Sequence, residues 1–391
     1  MTGYKEIYRI WSGSLKAALS LASCLVMVLY CGCTKSPAEP VKEDDAAYID
    51  FSSFAPVTKT GAGDTITDTD DKLRQQPFGI FGSKHISGSS SLHNVFLSDA
   101  AQEVGWGTEG SGETAKQCWT YSPKRKWEMS MDYRFRAYWP YSAEINPSSD
   151  ASRLAVEYKS TTQQYDLLVA HTTRSPRTEG IGTVKMQFHH ALSALRFEFK
   201  YKDEDETKGL TDYVTEFYLK GIYTVGTLMY GYFGSDTMVG LTNASVPSED
   251  NMVTPLADED TLADEDPYEK IEWYKNFNTF DSTSELFYWS GERRFHAAAD
   301  ATDTNETASV FDGDALVLIV PQTLSEGSRK TYANFKLRGA GDALHTVALP
   351  TEELLPGKIY TYTLVISSSY ITIDITIKDW ETIQSNVDIN L

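Results

Sequence analysis

The residue types best suited to chemistry in this chain are a histidine pair, two acidic clusters and four cysteines. His189 and His190 are adjacent. Neighbours on a strand point to opposite faces, so two such imidazoles cannot share one ion in regular β geometry. Both read as structural. Asp64, Asp68, Asp70 and Asp71 crowd one loop, and Asp258 to Asp266 crowd another. Hard carboxylate oxygens suit Ca²⁺, but neither loop has the spacing of an EF-hand. Glycosidase chemistry needs two carboxylates at a set separation, and 55 acidic residues single out no such pair. No Gly-rich phosphate loop opens a helix, and neither His-Glu-x-x-His nor Gly-x-Ser-x-Gly occurs. The expectation is therefore no enzyme: no catalytic residue, no metal and no cofactor. Cys118 is the only cysteine beyond the first 33 residues. A chain that has lost its leader then has no partner for an internal disulfide, and a Cys-based zinc site is excluded. Beside Trp119, Cys118 reads as a small buried apolar residue.

The remaining cysteines lie at the start. Lys5, Arg9 and Lys16 precede an apolar stretch from Ala17 to Tyr30, which ends in Cys31-Gly32-Cys33 and the polar Thr34-Lys35-Ser36-Pro37. A charged start, an apolar run and a small residue make a secretory signal. With a cysteine after the small residue, the leader resembles that of a bacterial lipoprotein, in which the thiol is acylated. Cys33 is the favoured acceptor, because a full apolar run precedes it and a polar tether follows. Cys24, after Leu21-Ala22-Ser23, is the alternative; it matches the consensus better but leaves Leu25 to Tyr30 as an apolar terminus. An uncleaved anchor is disfavoured, since a span needs ~20 apolar residues.

Lys and Arg number 35 against 55 Asp and Glu, a net charge of −20. Lys5, Arg9 and Lys16 outweigh Glu6 in the leader, so the chain without it carries about −22. Such a surface repels phosphate backbones, which argues against nucleic acid as a partner. It suits an extracytoplasmic protein. Bulky rings are plentiful, with 17 Phe, 23 Tyr and 8 Trp, and they favour sheet faces.

The elements that must position any site are strands. Short runs with period-two alternation dominate, divided by Gly, Pro, Asn, Asp and Ser. Tyr48 to Phe51, Phe78 to Phe81, Tyr133 to Trp139, Leu195 to Phe199 and Ala315 to Val320 are of this kind. Ile371, Ile373, Ile375 and Ile377 alternate with Thr372, Asp374 and Thr376, placing the isoleucines on one face. Gln163 to Ala170 and Thr211 to Phe217 are the two places where a helical turn is expected. Many short strands with frequent turns predict an all-β fold of β-sandwiches. The expected organisation is a signal peptide over 1–32, a flexible tether over 33–47, one sandwich domain over 48–182 and a second over 183–391. The boundary falls in the turn cluster Thr172 to Gly182, with Pro176, Gly180 and Gly182.

Several segments, in order, carry a family resemblance. Phe188-His189-His190-Ala191-Leu192-Ser193 resembles the Phe-x-His-Ala-Leu-Ser segment of the fimbrillin-like proteins of Bacteroidetes. Leu318 to Leu324, with Pro321-Gln322-Thr323, is similar to another of their segments. Leu355-Pro356-Gly357-Lys358-Ile359-Tyr360, then the isoleucine strand and Asp379-Trp380, resembles the family's ending. Tyr48 to Thr60, Phe78 to Phe81 and Arg136-Ala137-Tyr138-Trp139-Pro140 resemble its N-terminal part. Pro321 and Pro356-Gly357 suit strand ends and turns. His189, in an otherwise apolar strand, is expected to meet a buried polar partner.

The resemblance implies two tandem transthyretin-like Greek-key sandwiches, export as an outer-membrane lipoprotein and a place at the cell surface in a fimbrium or pilus. It implies other fimbrial subunits as partners, with a host or bacterial surface ligand as a further possibility and the membrane reached through the lipid. It also implies assembly by strand exchange. A protease cuts near the N-terminus, the first strand (here Tyr48 to Phe51) leaves, and the next subunit supplies a replacement. Lys59 and Arg74 are the candidate cut sites. The isoleucine strand, Ile371 to Ile377, either closes its own sandwich or begins a donor segment that runs through Trp380 to Leu391. The rival reading is a glycan-binding lipoprotein of a nutrient-uptake system, which shares the leader, the acidity and the aromatics.

Overall fold

A computed structural model describes residues 47–54, 72–89, 91–97, 100–142, 148–149, 154–201, 213–230, 271–275, 283–294, 308–311, 315–326, 329–338, 343–350, 353–366 and 370–380. These residues are mostly β, with a 3-10 turn at Gly112–Thr114, a short helix, α1 (Pro176–Glu179), and helical backbone at Lys72 and Leu73. Ala47–Leu391 is one compact unit. Cys24, Cys33, Lys59 and both acidic loops lie outside the described residues.

The largest sheet runs β10 (Val184–Gln187), β1 (Phe51–Phe54), β5 (Lys116–Thr120), β4 (Gln102–Glu109), β2 (Phe78–Ile86), β6 (Met131–Trp139), β9 (Leu168–Arg174), β11 (His189–His190), with β3 (His93–Asn94) beside β2. Its strands follow from alternation. In Tyr48 to Phe51, Ile49 and Phe51 are buried, and Tyr48 and Asp50 are exposed. Phe51, Phe78, Trp119, Tyr121, Trp127, Phe135 and Phe188 then meet in one aromatic core.

Two further sheets enclose a second core. One is β17 (Ala308–Ser309), β12 (Ser193–Tyr201), β25 (Lys358–Ile366) and β26 (Ile371–Asp379), with β18 (Val317–Ile319) on β12. The other is β16 (Leu286–Arg294), β13 (Tyr213–Lys220), β22 (Tyr332–Leu337) and β23 (Leu344–Ala348). Phe197 and Phe199 of the first sheet meet Phe217 and Phe335 of the second. This is sandwich packing, with inward residues interdigitating.

A fourth sheet, β15 (Ile271–Lys275), β14 (Val225–Tyr230), β8 (Leu154–Lys159) and β7 (Ser148–Ser149), joins chain segments from both sides of residue 182. β10 and β11 also ladder backwards, onto β1 and β9. A third apolar cluster includes Tyr138, Leu154, Val169, Ala191, Leu318 and Trp380. Two small pairs, β19 (Gln322–Thr323) with β24 (Glu353–Leu354) and β20 (Ser325–Glu326) with β21 (Arg329–Lys330), complete the strands among the described residues.

The expected helical turns differ from what forms. Leu168 to Ala170 enters β9, and Tyr213 to Phe217 lies in β13, because each pairs with neighbours on both sides. The first strand also sits later than expected. The ladder covers Phe51–Phe54, while Tyr48 makes only an isolated bridge to Lys126.

Candidate functional site

β1 is the element on which assembly would turn, and many contacts hold it. It runs parallel to β10, with Phe51 opposite Val184. It meets β5 antiparallel at one position, Phe51 opposite Trp119. The Phe51 ring lies 5.5 Å from Phe135, 5.6 Å from Tyr121 and 6.4 Å from Phe78. The preceding residues are pinned as well. The Ile49 N–H donates to the Arg125 carbonyl at 2.7 Å, and the Tyr121 hydroxyl donates to the Ile49 carbonyl at 2.9 Å. Val184 N–H donates to Asp50 O at 2.7 Å, and Lys124 Nζ reaches the Asp50 carboxylate at 2.9 Å. Burial is the main cause that pushes the Tyr121 hydroxyl above its ordinary pKa, which keeps it a neutral donor.

Past Trp119 the β1–β5 seam opens. A cavity of about 310 Å³ lies there, lined among others by Ser52, Ser53, Arg74, Trp106, Gln117 and Cys118. The Arg74 guanidinium lies 4.4 Å from the centre of the Trp106 ring. Cys118 is half-buried on this seam, and its thiol contacts Glu109 at 3.4 Å. Burial, then the Glu109 carboxylate, pushes the thiol above its ordinary range, so it is a poor nucleophile.

Of the two candidate cut sites, only Arg74 is described. Its peptide bond sits inside a turn. Gln75 N–H donates to Lys72 O at 3.1 Å, and Trp139 Nε1–H lies 3.2 Å from Leu73 O and 3.3 Å from Gln76 O. Leu73 is 1% exposed. A protease reads an extended chain, and this segment is clamped on both sides of the scissile bond.

The isoleucine strand is an edge. β26 pairs antiparallel with β25 from Ile366–Ile371 to Lys358–Asp379, and its other edge has no ladder among the described residues. Ile371, Ile373 and Ile375 are half-buried against the second core, whereas Ile377 is 48% exposed. Three of the four isoleucines thus help to close their own sandwich.

Two of the motif residues, Gln322 and His190, are buried and hydrogen-bonded. Gln322, 1% exposed, braces the backbone of Tyr223, accepting from its N–H and donating to its carbonyl at 2.8 Å each. His190 has a buried acid partner: His190 Nδ1 lies 2.9 Å from an Asp166 oxygen. Sequence reasoning missed Asp166, which is 24 residues away in the chain. Among the described residues no three His, Cys, Asp or Glu side chains gather as a metal site, and no helix is long and apolar enough to cross a membrane.

Among the described residues the fold is all-β, with the first strand inside a sheet and the last at an open edge. The profile described as fimbrillin-like matches residues 69–380, and the chain belongs to that family. It is a fimbrial subunit or adhesin, a protein of the cell surface and fimbrium that works among other fimbrial subunits. It is similar to a fimbrial protein from Bacteroides vulgatus, at 15% identity and a TM-score of 0.47, over 85% of this chain and 99% of that one. It is also similar to a fimbrial assembly protein from Parabacteroides distasonis, at 9% identity and a TM-score of 0.34, over 85% and 100%. A third similarity is to the tip fimbrial protein Mfa3 from Porphyromonas gingivalis, at 9% identity and a TM-score of 0.29, over 79% and 96%. No curated protein matches the chain.

Proposed function

We propose that this subunit joins its neighbours by strand replacement and has no catalytic role. One observation carries the reading. β1 lies between β10 and β5, so its loss would bare two strand edges and the aromatic floor of Phe78, Trp119, Tyr121 and Phe135. A bared edge offers main-chain hydrogen bonds, and the vacated pockets select alternate side chains of an incoming strand. The segment after Trp380 has the matching pattern: Ile383, Ser385, Val387, Ile389 and Leu391 alternate with Gln384, Asn386, Asp388 and Asn390.

The proposed cut that frees β1 is at Lys59 rather than within the Arg74 turn. The proposed anchor is a lipid on Cys33, with Cys24 as the alternative, in the outer membrane. The proposed division into two tandem sandwiches rests on the two cores, built from Ile49–Phe188 and Leu195–Ile375.

The test is the state of the protein on cells. Ladders that resist mild SDS and collapse on boiling are the expected result. Only monomers, together with retention on a polysaccharide affinity gel, would favour the glycan-binding rival.

A further inference from the structure

Three residues from distant parts of the chain meet in a small polar site within the third apolar cluster. Asp166, between β8 and β9, is 0% exposed; His190 of β11 is 9% exposed; Trp380, directly after β26, is 4% exposed. His190 Nδ1 faces both Asp166 oxygens, at 3.1 Å and 2.9 Å. A carboxylate only accepts, so Nδ1 carries the proton of this contact. The imidazole then lies flat on the Trp380 indole, with centroids 4.4 Å apart and planes 9° apart.

The backbone repeats the grip. Trp380 N–H donates to Gly357 O at 2.9 Å, and Gly357 N–H donates to Leu192 O at 2.8 Å. Gly357 holds φ at +69°, a conformation that favours glycine.

A buried carboxylate is a costly way to fill space. Leu167, Val169, Ala191 and Leu192 already supply an apolar bed for an indole. What the Asp166–His190 pair adds is direction. It fixes the plane of the imidazole, and the stack passes that plane on to Trp380. Trp380 stands immediately before the eleven residues Glu381 to Leu391.

We propose that Asp166 and His190 are positioning residues that lock Trp380 and so fix the point and direction from which residues 381–391 leave the subunit. This rests on the strand-donation reading above. A locked base shortens the chain that must be ordered when the segment docks, because each frayed residue adds conformational entropy to be lost.

The test uses the full mature chain with His190→Gln, Asp166→Asn, Trp380→Leu and Trp380→Phe, beside a deletion of 381–391. Amide hydrogen exchange is read on the monomer, and assembly rate is read after β1 is released. Expected are at least tenfold faster exchange at residues 376–380 in His190→Gln and Trp380→Leu, unchanged exchange in β12, and at least tenfold slower assembly. Trp380→Phe, which keeps a ring for the stack, should recover most of both. If Asp166→Asn does not fold, the other variants still decide the matter. Unchanged exchange at 376–380 would overturn the lock. Faster exchange with normal assembly, while the deletion abolishes assembly, would overturn the positioning role and leave strand donation standing. Normal assembly by the deletion itself would remove donation, and the positioning role with it.

Discussion

Phe51 and Trp119 form the one cross-strand pair between β1 and β5, and the Phe51 ring also touches three other aromatics of the core. The first strand is thus tied mainly by side chains on that flank and by a full parallel ladder on the other. Such a strand is stable in place, yet leaves a shaped slot when removed.

Phe51→Ala is expected to destabilise the uncut protein by ~3–5 kcal/mol, the range for emptying a buried aromatic site. Urea unfolding measures it. In protein from which β1 has been released, the same substitution has no residue to act on, and the midpoint should match that of the released wild type. A large difference there would mean that residues 47–54 remain bound after cutting.

Release of β1 should depend on Lys59. N-terminal sequencing of the fimbrial form should begin at Thr60. Lys59→Ala should block release, and Arg74→Ala should leave it intact, because the Arg74 turn is held through Leu73 and Trp139. A new N-terminus at Gln75 would contradict this.

Acylation is expected at Cys33. Metabolic labelling with an alkyne fatty acid should be lost in Cys33→Ala and kept in Cys24→Ala. The reverse pattern would move the anchor to Cys24.

Stability should fall with acid in a defined window. Burial, then Arg136 and Arg134, lowers the His171 pKa from 6.5 to about 4. The unfolded chain therefore takes up a proton at pH values where the folded chain stays neutral. The contribution is complete above pH 6.5 and declines as pH falls towards 4, by at most ~3 kcal/mol. Burial also lowers His189, which acts in the same direction. The difference in melting temperature between pH 7 and pH 4.5 should shrink in His171→Gln. An equal drop in both proteins would assign the acid sensitivity to other groups.

Much of the fold was legible because burial follows alternation. Ile49 and Phe51 faced inward as the period-two pattern requires, and so did Phe197 and Phe199. What was not legible was pairing at a distance. Nothing local in Leu154–Lys159 announces Val225–Tyr230 as its neighbour. A sequence read along its length also gives no reason to join His190 with Asp166 and Trp380, since they meet only through the tertiary fold. Ile377 fits the pattern of its strand yet is half exposed, because the core it faces ends at Ile375.

Strand donation by the C-terminal segment is tested most directly by deleting Glu381 to Leu391 and comparing polymer formation with thermal stability. The predicted result is a folded monomer, with a melting temperature close to that of the full chain, that forms no SDS-resistant ladder. A truncated protein that polymerises like the full chain would contradict it.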